Sequence, residues 1–528
     1  MKYVVPRRNR EFVSWPEVSS LASLLRRNRE LVKRWDFRVL GLPCAEFRER
    51  CLEDLRAAAA LYAERLNVQT SPLASPIVAT GHQPEFCHAG VWIKNHLAAR
   101  LAACAGGTSL NCIIDNDVPK HLGLLLPEKK DDSASAVEVP LMSPRPERAF
   151  EEYPSKLELI DAFIRDIARI AAGTPFEAAA AELASRVVRA DGVGESFADV
   201  VTAVRVSYER EAGAVNAELP VSLLAATPAF GIFAASILLD AGRFARTHNA
   251  ALAEYRRINR VRYPVNPVPD LAVKDDRIET PFWVWRRGEA RGRLFVRNAP
   301  PGVTLLSEET AVASLAAGPF DETAKAWREI ERSGWKIRPR ALSTTLFLRL
   351  FASDIFIHGI GGAIYDEVTN AIARAFYGVE PSAFAVTSAT LTIPWDFAPA
   401  ERGDVARALR LLRDIDHNPD KLLAARGLLT GDAARLAAEK QALLAGTTND
   451  RAWRRVKWEC IREVNRQLAK GLEGERARAL TELHRLRGKL AADEVLFGRD
   501  YCAFILGRLA GDFYAEVLEP LSPGSCRQ

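Results

Sequence analysis

The stretch IVATGHQPEFCHAGVWIKNHLAARLAAC, residues 77–104, decides the fold class. The β-type run Ile77–Thr80 ends in Gly-His-Gln-Pro, and apolar residues then recur at helical spacing from Gly90 to Cys104. Gly106-Gly107 ends this helix, and Leu110–Ile114 is a second apolar run. The pattern predicts a strand, a helix and a second strand, which is the repeating unit of a parallel α/β sheet.

A second unit of the same kind occurs late in the chain. Asp354–Ile357 is typical of a strand, the glycine-rich loop 358–362 (HGIGG) follows it, and Ala363–Phe376 has helical spacing before the strand-like run Ala383–Thr387. The sequence therefore predicts an α/β fold with a Rossmann-like parallel sheet as its core.

Changes in pattern along the chain suggest the domain boundaries. Residues 399–495 are almost wholly helical, and apolar positions amid dense charge between Arg451 and Leu490 predict a helical hairpin or coiled coil that reverses at Gly446–Asp450. We expect such a helix to self-associate, which predicts a homodimer. The predicted parts are an N-terminal helical segment 1–70, a core 71–398 with a helical insertion at about 151–215 and a β-hairpin insertion at about 264–300, the helical hairpin 399–495, and a C-terminal return to the core at 496–528.

Composition excludes several classes of protein. The 528 residues include 72 Lys and Arg against 67 Asp and Glu, with 48% hydrophobic residues, so disorder and collagen-like repetition are excluded and no nucleic-acid partner is predicted. The eight cysteines lack a Cys-x-x-Cys pair and the first residues lack the apolar core of a signal peptide, which favours the cytoplasm. Leu219–Leu239 is apolar and long enough to span a membrane, but Pro228 interrupts it, so we interpret it as two buried segments and predict no membrane partner.

Three polar clusters follow the predicted strands. They are Gly81–Glu85, Asp115–Asp117 with His121 beyond it, and His358–Gly362. In an open parallel sheet, the loops at the carboxyl ends of the strands line the ligand crevice, so we expect these clusters to meet. The glycines of the third cluster suit the approach of backbone N–H groups to an anion, and Arg338 or Arg340 could pair with a carboxylate, although an ion pair within the protein is the more common role.

The same clusters contain candidate proton acceptors. Asp115 and Asp117 are two residues apart at a strand end, so one is a candidate general base towards an amine, while capping of a following helix is an equally good interpretation. His82 and His121 are further candidates. Together with His88 these side chains could also bind a divalent metal, but their spacing matches no common metal motif, so no metal is predicted.

The order of these pieces resembles the bacillithiol biosynthesis cysteine-adding enzyme (BshC) family. The resemblance lies in TGHQPEFCHAGVWIKNHLAARLA, NCIIDNDVPKH, the late RPRALSTTLFLRLFASDIFIHGIGGAIYDEV and FAVTSATL, followed by the helical hairpin. It implies a Rossmann-like core with a helical insertion and a coiled coil. It also implies an enzyme that joins cysteine to the glucosamine amine of a glucosaminyl malate.

The resemblance assigns roles residue by residue. Gly81, Gln83 and Gly90 match a Gly-Gln-Gln…Gly loop of the family, Lys94 matches a lysine of the next helix, and Asp117 and His121 lie near a Gly-Glu-Asp-His-Asp element. Arg340 matches an arginine before the late helix, Gly359 and Gly361 match a Gly-Pro-Gly loop, Tyr365 matches an aromatic residue after it, and Ser388–Leu391 matches a strand end. The chain departs from the family at His82, which replaces a glutamine, and at Gly362, which replaces a glutamate.

From the clusters and the resemblance together we predict the site. The predicted catalytic residues are His82, Asp115, Asp117 and His121, and the predicted substrate-binding residues are Gly81, Gln83, Lys94, Asn116, Arg340, His358, Gly359, Gly361, Gly362 and Tyr365. The predicted partners are small molecules, cysteine and an amino sugar. The sequence contains no recognisable phosphate loop and leaves open whether a nucleotide activates the acid.

Two other classes of function remain open at this point. One is a ligand-binding or assembly protein without turnover, and the other is a metal-assisted hydrolase. Convergence of the three clusters on one pocket would favour catalysis, whereas burial of His82 and His358 at separate packing sites would favour binding or a structural role.

Overall fold

A computed structural model of the chain describes residues 3–70, 72–130, 133–263, 265–274, 276–447 and 450–521. The chain divides into two compact units. The larger contains the chain up to residue 126, residues 138–393, and the chain from residue 499 onward, and the smaller contains residues 127–137 and 394–498.

The strands of the described residues are β1 (Glu11–Trp15), β2 (Arg38–Val39), β3 (Leu42–Pro43), β4 (Ile77–His82), β5 (Thr108–Ile113), β6 (Gly123–Lys130), β7 (Ser133–Pro140), β8 (Ala217–Pro220), β9 (Val273–Lys274), β10 (Arg277–Arg286), β11 (Gly292–Ala299), β12 (Gly302–Ser307), β13 (Thr310–Ala316), β14 (Trp335–Pro339), β15 (Ile355–His358) and β16 (Ala385–Thr390). The α-helices are α1 (Leu21–Val32), α2 (Cys44–Arg65), α3 (Ala89–Cys104), α4 (Ile160–Ala171), α5 (Glu177–Ala190), α6 (Phe197–Glu211), α7 (Val221–Ala225), α8 (Pro228–Leu238), α9 (Ala241–Asn259), α10 (Phe320–Arg332), α11 (Ala341–Phe347), α12 (Ile360–Ile372), α13 (Arg402–His417), α14 (Pro419–Ala425), α15 (Gly431–Ala445), α16 (Arg451–Ala469), α17 (Glu473–Leu496) and α18 (Arg508–Val517).

The sheet at the centre of the larger unit is mostly parallel. Its strand order is β1-β16-β15-β4-β5-β8, with β1 antiparallel to β16 and the other neighbours parallel. Ile355 pairs with Val78 and Ile357 with Thr80, so the two predicted strand–helix units are neighbours in one sheet. The mixed α/β class is confirmed, and the carboxyl ends of β4, β5 and β15 lie on the same edge.

The N-terminal segment differs from the prediction of helix alone. Glu11–Trp15 forms β1 and pairs with β16, where Val13 lies opposite Ser388. The pairing partner is far away in the chain, so local periodicity could not indicate it.

A second sheet in the same unit is antiparallel. Its order is β13-β12-β11-β10-β14, and β9 pairs with β10. It contains the predicted hairpin, because Ile278 pairs with Val296, but it extends well past that hairpin: Phe282 pairs with Pro339 at the end of β14. Residue 264, where the predicted insertion begins, lies outside the described residues.

The apolar stretch Leu219–Leu239 is divided as predicted. Helix α7 ends at Ala225 and α8 begins at Pro228, where the Thr227 hydroxyl accepts a hydrogen bond from the Phe230 N–H. Both helices are buried in the main hydrophobic core. In the described part of the chain no single helix is long and apolar enough to cross a membrane, although the bent pair α8 and α9 meets the test of length and composition.

The smaller unit is mainly helical. Helix α15 packs against α16 and α13 against α17, around a small core that includes Ile415, Val464 and Leu468. The predicted continuous helix between Arg451 and Leu490 is two helices, because a 3-10 turn at Lys470–Leu472 separates α16 from α17. Residues 448 and 449 of the predicted reversal lie outside the described residues.

Candidate functional site

A cavity of about 350 Å³ lies in the larger unit, where the carboxyl edge of the parallel sheet faces strands of the antiparallel sheet. Its volume is within the range of small-molecule sites, about 300 to 1,000 Å³. Polar lining residues include Gln83, Asn116, Asp117, Arg291, Arg340, His358, Tyr365 and Asp366, and apolar ones include Ile114, Leu271, Trp283, Leu342, Leu348 and Phe356.

All three polar clusters of the sequence reach this cavity. Gly81 and Gln83 come from the end of β4, Asn116 and Asp117 follow β5, and the third cluster, after β15, contributes His358 and Gly362. The pairing of β15 with β4 and of β4 with β5 brings them together. Distant parts of the chain therefore form one site.

His358 is oriented by a buried carboxylate. Its Nε2 lies 2.7 Å from Asp366 Oδ2, and Arg349 Nη1 donates to the same oxygen over 2.7 Å. Because the carboxylate accepts the Nε2 proton, the neutral ring carries its lone pair on Nδ1, and Nδ1 has no hydrogen-bond partner within the described residues. His358 is thus arranged as a proton acceptor.

Charge and burial keep this group in the required protonation states. Burial lowers the pKa of His358 and Asp366 partly opposes that effect, so the ring is neutral at neutral pH. Burial alone would raise the pKa of Asp366, but Arg349 and His358 outweigh it and hold that pKa well below its usual value. The Asp366 Oδ1 atom is buried without a partner among the described residues.

Glycines of the third cluster leave room at the imidazole. A Cβ on Gly362 would lie 2.9 Å from His358 Nδ1, whereas a Cβ on Gly361 would meet nothing within 4 Å. Gly359 is the N-cap of α12 and supplies no side-chain cap. The first N–H groups of α12, up to that of Gly362, therefore lack acceptors inside the helix and favour an anion at this end.

Arg340 offers unpaired donors at the cavity. Its Nη1 donates to Glu279 Oε1 over 2.8 Å, and its guanidinium lies over the Trp283 ring at 4.3 Å. Nε and Nη2 are buried and have no hydrogen-bond partner in the described part of the chain. This edge of the guanidinium has the geometry that binds two oxygens of a carboxylate or phosphate.

The neighbouring arginines have different roles. Arg291 lies over Trp283 at 4.5 Å and pairs with Asp117 at 2.9 Å. Arg338 is 1% exposed and is satisfied by Glu151 and Glu331 at 2.9 and 2.7 Å. Arg338 therefore has the role of an ion-pair partner, although it is buried and not at the surface, and it does not line the cavity.

The carboxylates after β5 differ in environment. Asp115 Oδ1 accepts a hydrogen bond from the Ser222 N–H over 2.9 Å, so it caps the start of α7, and it does not line the cavity. Burial, reinforced by Glu151, raises the pKa of Asp115 to about 7. Asp117 lines the cavity, where it also accepts a hydrogen bond from Gln83 Nε2 over 3.1 Å.

Asn116 contributes an unused acceptor. Its Nδ2 donates to the Pro339 carbonyl over 2.7 Å, which ties the end of β5 to the end of β14. Its Oδ1 is buried without a partner among the described residues. A ligand N–H or O–H can satisfy this oxygen.

Three other predicted residues lie outside the lining of this cavity. His82 lines a small separate cavity with Cys87 and Arg205, and burial together with Lys94 lowers the pKa of His82 to about 3. Lys94 is buried and donates to the Gly81 carbonyl over 2.6 Å, which supports the end of β4. His121 is half-exposed and contacts Glu138 through Nδ1 at 2.9 Å.

The remaining predicted positions surround α12. Tyr365 lines the cavity on the first turns of this helix, whereas Gly359 and Gly361 supply backbone only. Sequence reasoning missed Arg349, Asp366 and Trp283. The one available signal for Asp366 was its position eight residues after His358, on the helix that His358 precedes.

Metal ligands are not grouped in the described ranges. No three His, Cys, Asp or Glu side chains there lie close enough together to hold a metal ion. The candidate ligands from sequence were His82, His88, His121, Asp115 and Asp117. His88 Nδ1 accepts a hydrogen bond from the Gly90 N–H over 3.1 Å at the start of α3, and the other four lie in the separate environments already described. No protein-family model matches this chain, and no curated protein matches it significantly.

Proposed function

We propose that this protein is a ligase that forms a C–N bond between an activated carboxyl group and the amine of a small anionic acceptor, as in the cysteine-adding family that the sequence resembles. In that family the acid is cysteine and the acceptor is an amino-sugar conjugate. The observation that carries the proposal is the presence, in one cavity, of an oriented imidazole and an arginine with unpaired donors.

The imidazole answers the main chemical need of this reaction. An amine attacking an acyl carbon must lose a proton, and His358 Nδ1 is the acceptor that Asp366 and Arg349 keep in position. The C–N bond forms, the bond from the acyl carbon to its leaving group breaks, and the amine proton passes to His358. Asp366 remains ionised and stabilises the imidazolium.

Anion binding positions the acceptor. The unpaired edge of Arg340 suits a carboxylate of the acceptor, and the open N–H groups at the start of α12 suit the negative charge that develops on the acyl oxygen. Binding in this way holds the amine near the acyl carbon. The reacting groups then do not have to meet by diffusion in solution, which is entropically unfavourable. Asn116 Oδ1 is available to an N–H of either substrate.

The acid has to carry a leaving group when it reacts, because a free carboxylate does not acylate an amine. An acyl phosphate, an acyl adenylate or a thioester meets this need. The assay below therefore includes ATP as a separate arm.

A binding protein without turnover is the second candidate. It is favoured by one observation, since His82 and His358 lie in separate buried environments and not together in one catalytic group. Retained ligand binding without any product in the assay below would support it.

The proposal includes three predictions from the sequence: a Rossmann-like core, a coiled-coil dimer and a cytoplasmic location. The parallel strands β16, β15, β4 and β5, with α3 connecting β4 to β5 and α12 connecting β15 to β16, support a Rossmann-like core. The packed helix pairs α15 with α16 and α13 with α17 support a coiled coil that joins two copies. The cytoplasmic location stays a prediction.

Mass spectrometry tests the reaction directly. Purified protein is incubated with cysteine and glucosaminyl malate, with and without ATP, and then with a panel of other small amines. With at least one of these amines we expect a product whose mass equals the two substrates less one water, and its loss in His358→Gln. If no condensed product forms with any amine in either arm, the proposed function is wrong.

A further inference from the structure

The charged side chains that line the cavity each have a partner of opposite sign. Arg291 pairs with Asp117 at 2.9 Å, Arg340 with Glu279 at 2.8 Å, and Asp366 with Arg349 at 2.7 Å. Arg293 also contacts Glu279 at 3.5 Å, but it is 54% exposed and does not line the cavity. One negative charge on a ligand therefore needs donors that these pairs leave unused.

The unpaired donors define where that charge lies. Nε and Nη2 of Arg340 are buried and unpartnered among the described residues, and stacking on Trp283 fixes the plane of the guanidinium. Two parallel N–H groups in one plane match the two oxygens of a carboxylate. The anionic end of the ligand is therefore assigned to this edge.

Apart from the first N–H groups of α12 and the atoms of Arg340, Asn116, His358 and Asp366 that are unpaired within the described residues, the walls of the cavity are mainly apolar. Leu271, Leu342, Leu348 and Phe356 form walls and are all nearly fully buried. The hydroxyl of Ser343, which also lines the cavity, donates to the carbonyls of Pro281 and Arg340.

The two threonines beside Ser343 are engaged in the same way. Thr344 donates to the Arg340 carbonyl, and Thr345 donates to carbonyls of its own helix. These hydroxyl protons are already used within the protein, so the wall offers little to a ligand rich in hydroxyl groups.

The size of the cavity also favours a ligand with an apolar body. At about 350 Å³ it exceeds what free cysteine fills, and its lining as a whole is mainly apolar. Apolar surface buried against such walls contributes favourably to binding, whereas buried sugar hydroxyls without partners oppose it.

From these observations we infer that the ligand of this cavity is a singly charged organic carboxylate with an apolar body, aromatic or branched aliphatic, bound through the free edge of Arg340. The inference rests on the proposed function only in treating this ligand as a substrate. It replaces the amino sugar as the preferred occupant of the cavity.

Isothermal titration calorimetry on the full chain tests this inference, with phenylacetate as the probe. Phenylacetamide has the same body without the charge, gluconate has the charge with a polyhydroxylated body, and phenyl phosphate has a different anion. We expect phenylacetate to bind at least about ten-fold more tightly than each of these, with a negative heat-capacity change from apolar burial.

Variants locate the binding. Arg340→Gln is expected to abolish the preference for phenylacetate over phenylacetamide, and Arg340→Lys, which keeps the charge but loses the paired donors, to reduce it. Arg297→Gln is the matched control, because Arg297 lies in β11 of the same sheet, is paired with Asp276 and does not line the cavity. Thermal unfolding of each variant checks that it is folded.

The results separate the alternatives. Equal or tighter binding of gluconate or phenyl phosphate, absence of phenylacetate binding, or binding that Arg340→Gln leaves unchanged in a folded protein would each overturn the inference. Binding as expected without any acylated amine would leave the ligand class in place and refute the proposed function alone.

Discussion

His358 owes its chemistry to the two groups that share one carboxylate oxygen. Asp366 accepts the Nε2 proton and Arg349 holds Asp366, so the basic Nδ1 is fixed in one orientation in a buried position. The sequence predicted His358 only as a binding residue, since its partner lies on the following helix and becomes visible only when that helix is placed. Three predicted bases lie outside the cavity lining, namely Asp115, His82 and His121. Which side chains reach the cavity depends on three-dimensional packing, which local sequence does not show.

Removing the base should slow product formation. We expect His358→Gln to lower kcat by about 10² or more, because general-base catalysis contributes about 10² to 10⁴. His484→Gln, which changes an exposed histidine of α17, should have no effect. An unchanged rate in a folded His358→Gln protein would exclude this residue as the base.

The pH dependence of the rate follows from the same group. Activity requires neutral His358, and because its pKa is lowered from 6.5, the rate should stay level through neutral pH and fall only below that value. Asp366→Asn removes the carboxylate that opposes this lowering, so the acid limb should move to still lower pH while kcat falls. A limb that moved to higher pH in Asp366→Asn would contradict the assignment.

Gly362 and Gly361 form a matched pair for testing the space at Nδ1. A methyl group at Gly362 would lie 2.9 Å from His358 Nδ1, whereas one at Gly361 meets nothing within 4 Å. We expect Gly362→Ala to lower kcat by about ten-fold or more, since a misplaced base loses reactivity, and Gly361→Ala to retain it. The activities are measured by product formation. Equal activities of the two variants would show that a methyl group at position 362 does not displace the His358 ring, which would contradict this prediction.

Strand β14 illustrates how an element is held in place by charge. Its buried Arg338 donates to Glu151, which lies in the short 3-10 helix Phe150–Glu152, and to Glu331 at the end of α10. Burial opposes the charge, but Glu151 and Glu331 outweigh it and raise the pKa of Arg338. This arrangement places Pro339 and Arg340 at the cavity.

Loss of this arginine should therefore destabilise the protein. Arg338→Gln removes the cation that Glu151 and Glu331 share and leaves Glu151 with Lys336 alone. We expect a decrease of about 3 to 5 kcal/mol in the free energy of unfolding, measured by urea denaturation. The exposed Arg297→Gln should change it by less than about 0.5 kcal/mol. A small effect of Arg338→Gln would mean that water or other groups replace the ion pairs.

The elements of the core were predictable to different degrees. Strands β4, β5 and β15 and helices α3 and α12 carry strong local patterns and begin and end close to the predicted residues. Strand β1 and the outer strands of the second sheet were missed or underestimated, because their partners are remote in sequence. The break at Lys470–Leu472 follows from Gly471, whose low helix propensity was not weighed against the long apolar pattern.

For the molecule as a whole, the surface of α16 is the feature that bears on assembly. Trp453, Val456 and Trp458 are 38%, 57% and 56% exposed on this helix. Trp453 and Val456 are three residues apart and share one face of the helix, whereas Trp458, two residues after Val456, lies on another face. The exposed pair Trp453 and Val456 is the candidate contact for the expected homodimer. The sequence predicted helical structure here but not the break after Ala469. Which side chains of α16 remain uncovered depends on its packing against α14 and α15.

Light scattering after size-exclusion chromatography measures this association. We expect the full chain to have twice the mass of one copy, and Trp453→Ser with Val456→Ser to shift it to a single copy while the thermal unfolding temperature of the larger unit is retained. A control pair on the same unit, Arg402→Gln with Glu494→Gln, removes an exposed ion pair and should leave the dimer intact. A single-copy mass for the unmodified protein would refute the dimer.

The central claim is that residues after β5 and after β15 act together on one substrate pair. A double-mutant cycle on kcat/KM for condensed product, with Asn116→Ala and His358→Gln, tests it most directly. We predict that the double variant retains at least about ten-fold more activity than the product of the two single losses, a coupling of about 1.4 kcal/mol. Independent effects of the two substitutions would contradict the account.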